Sequence, residues 1–190
     1  NATKLQTLYR LATKYPDGIL VPDTYYVPID VTEESLINFL INVSMKRHRE
    51  LAEKLIGGWD EERWMRYITV ASVIQKEAKL LKEMPTVASV IYNRLDKNMP
   101  LQMDGTLNYG PYSHVRVTPE RIREDHSLYN TYKFKGLPPY PVCVVGKGAI
   151  YAAVHPDRTD YLYFVKSGDD THTFSNSYSE HQKKIRNVQN

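Results

Sequence analysis

The stretch that most narrows what this chain can fold into is ASVIQKEA, Ala71 to Ala78, where small and branched apolar residues run together as in a buried helix and a carboxylate, Glu77, is set among them. At about 100° per residue, Trp64, Ile68, Ala71, Ile74 and Ala78 share one face of a helix running from after Asp60 to about Leu81. Such a stripe packs on a core. Glu77 falls on its edge, between Val70 and Val73 and beside Ile74, while Lys76 projects with Thr69 and Ser72 on the polar side. Apolar neighbours disfavour the ionised form of a carboxyl and raise its pKa, and a glutamate kept protonated near neutral pH is a general acid. Periodicity leaves a second reading open. A structural Glu77 would pair with a cation from another element, such as Arg94, or reach water, because Leu80 and Leu81 occupy the partner positions further along its own helix.

The flanking sequence extends the helical pattern. Asp30 or Thr32 can cap a long helix in which Leu36, Phe39, Leu40, Val43, Arg47, Leu51 and Leu55 recur at three and four, with Gly57-Gly58 as the stop. After a short corner, Pro85 fits the first turn of a third helix, TVASVIYNRL. The next segment, DKNMPLQMDGTLNYGPYS, holds no lasting period and reads as loop. TPERIRED is a short helix capped by Thr118, and YNTYKFKGLPPYPV is irregular. A helix through Ala149, Ile150 and Ala153 leads to a hairpin turning at Gly168-Asp169-Asp170, and Ser177 with Glu180 forms a capping box for a final helix. Upstream, Leu5, Leu8 and Leu11 make a short amphipathic run before the extended DGILVPDTYYVP. The class expected is α+β, helix-rich in the first half, with irregular loops and a small hairpin in the second. Residues 1–29 read as a lead-in, the end of a truncated N-terminal region, and residues 30–190 as the catalytic-sized domain.

The formal charge of +3 is spread along the chain, so no basic block marks a nucleic-acid partner. Cys143 stands alone and the spacings of His155, His172 and His181 fit no zinc motif, so neither a disulfide scaffold nor a metal or other cofactor is expected. Cys143 itself reads as a small buried hydrophobe. No run approaches the roughly 18 apolar residues that would span a bilayer. The chain begins at Asn1, and we expect any export signal or membrane anchor to lie upstream of it.

ASVIQKEA, then VASVIYNRL past the corner, LQMDGTLNYG, YNTYKFKGLPP, and finally YLYFV with HTFS and EH, occur in that order. From about VPDTYYVP to SEHQKKI the chain resembles the catalytic domain of the YceG-like family of murein transglycosylases, and five ordered blocks are a specific signal. The resemblance implies that Glu77 is the catalytic residue. Gln75 replaces the first glutamate of the family's block, which argues against chemistry needing both, and Glu83 matches a further acidic position that holds the corner. The implied reaction cleaves the β-1,4 bond between N-acetylmuramic acid and N-acetylglucosamine within a peptidoglycan strand and leaves a 1,6-anhydromuramoyl end. Ordinary glycosidases need a second carboxylate; here the sugar's own C6 hydroxyl takes that place.

Asn93, Gln102, Asp104, Thr106, Tyr109, Asn130 and Tyr132 supply hydrogen-bonding and aromatic groups suited to a sugar site, against the plain reading of solvated loop residues and locally satisfied tyrosines. The family further implies peptidoglycan strands as substrate and peptidoglycan synthases as partners. It also implies a LysM-like module and a single-pass anchor in the plasma membrane upstream, with this domain on the extracytoplasmic side. Two other functions compete: a hydrolase using Asp104 or the late histidines, and a non-catalytic glycan-binding module suggested by the 15 tyrosines.

Overall fold

Thr32 opens the longest helix, α1 (Glu33–Ile56), by accepting a hydrogen bond from the Ser35 N–H, and Gly57, at φ 76°, closes it in the left-handed conformation that glycine adopts without strain. In this computed structural model, residues 14–15, 17–113, 115–168 and 170–189 are described. The amphipathic run Leu5, Leu8 and Leu11, and Asp169 of the hairpin turn, lie outside the described residues.

The face that α1 buries is not the expected one. Ile41, Ser44, Met45, His48 and Ala52 point inward, while Leu36, Leu40, Val43, Arg47, Leu51 and Leu55 are half-buried and Phe39 is exposed. The stripe is rotated because two polar side chains serve the lead-in. Ser44 Oγ accepts from the Val21 N–H at 3.1 Å and His48 Nε2 bonds the Ile19 carbonyl at 2.9 Å, so both are satisfied inside the protein. Tyr15, Ile19 and Val21 are buried with them. A pattern of apolar residues alone scores serine and histidine as surface.

The second helix, α2 (Glu61–Glu77), starts at the Asp60 cap and is buried continuously from Ile68 to Ile74, Thr69 and Ser72 included. Of the expected polar side, Thr69 and Ser72 therefore meet protein, while Lys76 is exposed. Thr69 Oγ1 donates to the Met65 carbonyl, and Ser72 Oγ donates to the Thr69 carbonyl while accepting from the Val142 N–H. The helix also ends at Glu77, four residues short of the expected Leu81, with Ala78 extended at φ −115° and ψ 122°. Local propensity favours continuation through KLLK, and tertiary contacts override it. Glu83 accepts from both the N–H and Nδ1 of His172, which ties the corner to the hairpin.

Beyond the corner come α3 (Met84–Asp96), with Pro85 in its first turn, and a one-turn helix α4 (Asp104–Leu107) inside the segment expected to be loop. Four residues are too few to leave a period in the sequence. After a 3-10 turn at Gly110–Tyr112 and α5 (Pro119–Glu124), α6 (Lys147–Val154) lays Ala149, Ile150, Ala152 and Ala153 against α2 and α3. The small side chains let the three helices approach closely. Strands β1 (Tyr163–Lys166) and β2 (His172–Ser175) pair antiparallel, with Phe164 opposite Phe174, and α7 (Tyr178–Gln189) packs on them. The class is α+β, as expected.

The buried His48 makes a pH prediction. Its Nδ1 accepts from Trp64 Nε1 at 3.1 Å, so Nε2 carries the proton that bonds Ile19, and the ring is neutral. Burial lowers its pKa below 6.5, against the opposing pull of the Ile19 and Gly18 carbonyls. The unfolded chain then binds more protons below pH 6.5 than the folded one, so this site loses stability as pH falls, by at most roughly 1.4 kcal/mol per pH unit. Denaturation at pH 7.5 and 5.5 should show a larger loss for wild type than for His48→Gln; equal losses would contradict it.

Candidate active site

Glu77 is the last residue of α2, and its Oε1 accepts from the Gly105 N–H at 2.8 Å. That contact depends on glycine. A Cβ at position 105 would lie 2.5 Å from Lys76 Cβ and 2.8 Å from Glu77 Oε1. The carboxyl's pKa is pushed up to about 7, chiefly by burial. The Gly105 N–H opposes the rise, the nearby Asp104 charge adds to it, and Lys76 opposes it more weakly. A carboxyl at a helix C-terminus also sits at the negative end of the helix dipole. At neutral pH Glu77 is thus poised between acid and base.

The carboxyl opens into a cleft of about 330 Å³. It is lined by the segment Leu101–Asp104 with Tyr132, and by Leu162–Val165 of the hairpin with Tyr178, His181 and Ile185 of α7. Arg94 ties these two sets of lining residues together. Its Nε donates to the Leu162 carbonyl at 2.6 Å, and its Nη1 donates to the Pro100 and Leu101 carbonyls and to Gln102 Oε1 at 2.8 to 3.0 Å. This buried guanidinium is structural, and no ion pair joins it to Glu77. The pairing that would have explained Glu77 as a structural residue is therefore not made.

Three of the seven expected sugar-binding residues meet at the cleft. Gln102, held at φ 54° with its N–H on the Thr131 carbonyl, presents its side chain there. Asp104 Oδ1 accepts from the Tyr132 hydroxyl at 2.5 Å. Burial and then that bond raise the Tyr132 pKa, so the phenol stays a donor. The other four stand elsewhere. Asn93 Nδ2 donates to the Thr159 and Tyr161 carbonyls; Thr106 is buried between the Met103 carbonyl and Thr131. Tyr109 donates to Asp17 and packs on Tyr129, and Asn130 is buried with its amide on the Ile122 and Asp125 carbonyls. They shape the loops behind the cleft.

The hairpin and α7 wall went unrecognised in the sequence. Tyr178, His181 and Ile185 recur at three and four on one helix face, which is the signal that could have revealed it. Gln75 Oε1 accepts from the Gly146 N–H at the start of α6, a bond that needs an acceptor but no charge. Among the described residues no group of three or more His, Cys, Asp or Glu could hold a metal ion. His172 is bonded to Glu83, His155 packs on Tyr151 and His181 stacks on Tyr163. Cys143 is partly buried, its thiol pushed up to about 11 by burial.

Residues 1–187 match the model of the YceG-like family. Over 182 residues the chain is 35% identical to a Bacillus subtilis protein named endolytic murein transglycosylase, a match taking in 90% of this chain and 47% of that protein. A Streptococcus pneumoniae (strain R6) protein of the same name is 29% identical over 175 residues, covering 89% of this chain and 31% of the other. The crystal structure of a yceG-like protein from Listeria monocytogenes superposes with a TM-score of 0.77 at 30% identity, over 94% of this chain and 62% of that one. The chain spans about half or less of the length of these curated relatives.

Proposed function

Because the chain belongs to the YceG-like family, we propose that it is the catalytic part of an endolytic peptidoglycan lytic transglycosylase with Glu77 as its acid and base. The observation that carries this reading is a carboxyl with its pKa pushed up to about 7, lining a cleft of about 330 Å³ with polar and aromatic side chains around it. The relatives' name, endolytic murein transglycosylase, supports the choice of substrate.

Protonated Glu77 gives its proton to the glycosidic oxygen as the bond from C1 of N-acetylmuramic acid breaks. The resulting carboxylate then takes the proton of the C6 hydroxyl of the same sugar as that oxygen closes onto C1. The catalyst returns to its starting state, and the products are a 1,6-anhydromuramoyl end and a free hydroxyl on the departing sugar. No water is consumed. Proximity of the C6 hydroxyl supplies the effective molarity that a second carboxylate and a water would otherwise provide. A pKa near neutral suits a group that must donate and then accept within one turnover.

On this reading residues 30–190 are the catalytic domain and residues 1–29 its lead-in. The enzyme ends nascent glycan strands, works beside peptidoglycan synthases, and faces the extracytoplasmic side of the plasma membrane. No helix among the described residues is long and apolar enough to cross a membrane, so the anchoring proposed here belongs to a segment outside them.

One observation favours a second reading. Asp104 also lines the cleft, and a water-activating carboxylate there would make the enzyme a hydrolase. Mass spectrometry of the soluble products from purified peptidoglycan separates the two. Anhydromuramoyl ends are expected; reducing ends bearing the elements of water would transfer the assignment to hydrolysis, and no product at all would leave a glycan-binding module.

A further inference from the structure

The aromatic groups of the cleft are not equally available. Tyr163 is engaged by the Arg94 guanidinium, 5.0 Å from its ring centre, and by the His181 ring, stacked at 5.1 Å and 22°. Phe164 packs on His172 and Phe174. The Tyr132 hydroxyl is committed to Asp104. Tyr178 differs: it lines the cleft, yet 60% of it is exposed. Its ring is steadied by Tyr163 at 5.9 Å and His181 at 6.5 Å, and the rest of it faces solvent.

A large aromatic side chain left open on the wall of a concave site is informative where a scattered surface tyrosine is not. Tyr151 is similarly exposed, at 56%, but stands outside the cleft on α6. The polar groups around Tyr178 complete the case. Among the described residues His181 Nδ1 is buried without a hydrogen-bond partner. The ring's pKa is lowered by burial and then by the Arg94 and Lys184 charges, which keeps it a neutral, flat neighbour to the Tyr178 ring.

We propose that Tyr178, backed by His181, is the stacking platform for a pyranose ring of the glycan, in the cleft that Asp104 and Tyr132 also line. The inference rests on the reading of the cleft as a glycan site. A tyrosine has few rotatable bonds, so it offers broad contact area at small entropic cost, and the C–H face of a pyranose is the complementary surface. The hairpin and α7 thus hold the strand while α2 and α4 cut it.

The test uses peptide-free glycan strands as probe and the Glu77→Gln protein as parent, so that binding is read without turnover. Tyr178→Ala should weaken binding about tenfold, the range of an aromatic contact. Tyr178→Phe should stay within about twofold, since it keeps the ring, and Tyr151→Ala should bind as the parent does. Tyr178→Ala binding as tightly as the parent, or Tyr151→Ala losing as much, would overturn the proposal; thermal melts exclude a folding defect. Failure of the two readings is distinguishable. Hydrated ends from the Glu77-intact protein overturn the transglycosylase reading and leave the Tyr178 comparison standing, whereas a parent that does not bind glycan overturns both.

Discussion

Glu77→Gln is expected to slow formation of anhydromuramoyl ends by about 10²- to 10⁴-fold, the usual contribution of a positioned general acid, while making the protein more stable above neutral pH. The amide keeps the shape of the side chain and an oxygen to accept from the Gly105 N–H, but it has no acid proton to give. The stability gain comes from the same burial that makes Glu77 useful. Its folded pKa lies near 7 against an ordinary value of 4.5, so between those values the folded protein holds a proton that the unfolded chain releases. Stability from this site is therefore present below about pH 4.5 and lost as pH rises through 7, the reverse of an ordinary paired carboxylate. The difference is on the order of 3 kcal/mol, and glutamine escapes most of it. Initial rates with purified peptidoglycan and denaturation at pH 5 and pH 8 check both halves. A variant within tenfold of wild type would remove Glu77 from the chemistry, and equal stability at pH 8 would deny the raised pKa.

The pH profile carries the same signature. Bond cleavage needs the protonated carboxyl and closure needs the carboxylate, which explains why a value near neutral, and not one far above it, fits the proposed cycle. His48 acts in the opposite sense, gaining stability as pH rises, so the two sites partly cancel in wild type and only the variants separate them.

Much of this was legible in the residues. The capped start and glycine stop of α1, Pro85 opening α3, the Thr118 cap and the hairpin follow from local rules and are observed; of the Ser177 capping box the Ser177 cap on the Glu180 N–H is made, while the Glu180 carboxylate pairs with Lys184. What stayed hidden was set by partners distant in sequence. Ser44 and His48 are inside only because residues 19–21 present backbone groups to them. The corner after α2, which ends at Glu77, is held by a bond from Glu83 to His172, 89 residues away. Of the expected sugar contacts, Gln102, Asp104 and Tyr132 lie where a strand could reach them, while Asn93 and Asn130 carry the same chemistry but spend it on backbone carbonyls. Residue type tells what a side chain can bond, not what the fold gives it to bond.

Gly105 is the clearest case, because its contribution is an N–H and an absence. A one-turn helix presents that N–H to Glu77 at 2.8 Å, and the missing side chain is what lets the turn come so close. Gly105→Ala would set a methyl 2.5 Å from Lys76 Cβ and 2.8 Å from Glu77 Oε1, separations that atoms do not sustain, so α4 must retreat from α2. Retreat removes the Gly105 donor and carries Asp104 away on the same turn; the donor lowers the Glu77 pKa by more than the Asp104 charge raises it, so with burial still acting the value rises further. The alkaline limb of the rate profile should then move to higher pH, because the acid form persists longer. The closing step, which needs the carboxylate, should suffer at neutral pH, and activity should fall about 10- to 100-fold, within the range set for a displaced catalytic group. Overpacking of this kind also costs about 1 to 3 kcal/mol of stability. A melt alone cannot separate the two effects, but the pH profile can. An alanine variant that is merely less stable, with its alkaline limb unmoved and its rate within twofold, would reduce Gly105 to a packing residue. A shifted limb would assign to a backbone N–H the task of setting the acidity on which the reaction runs.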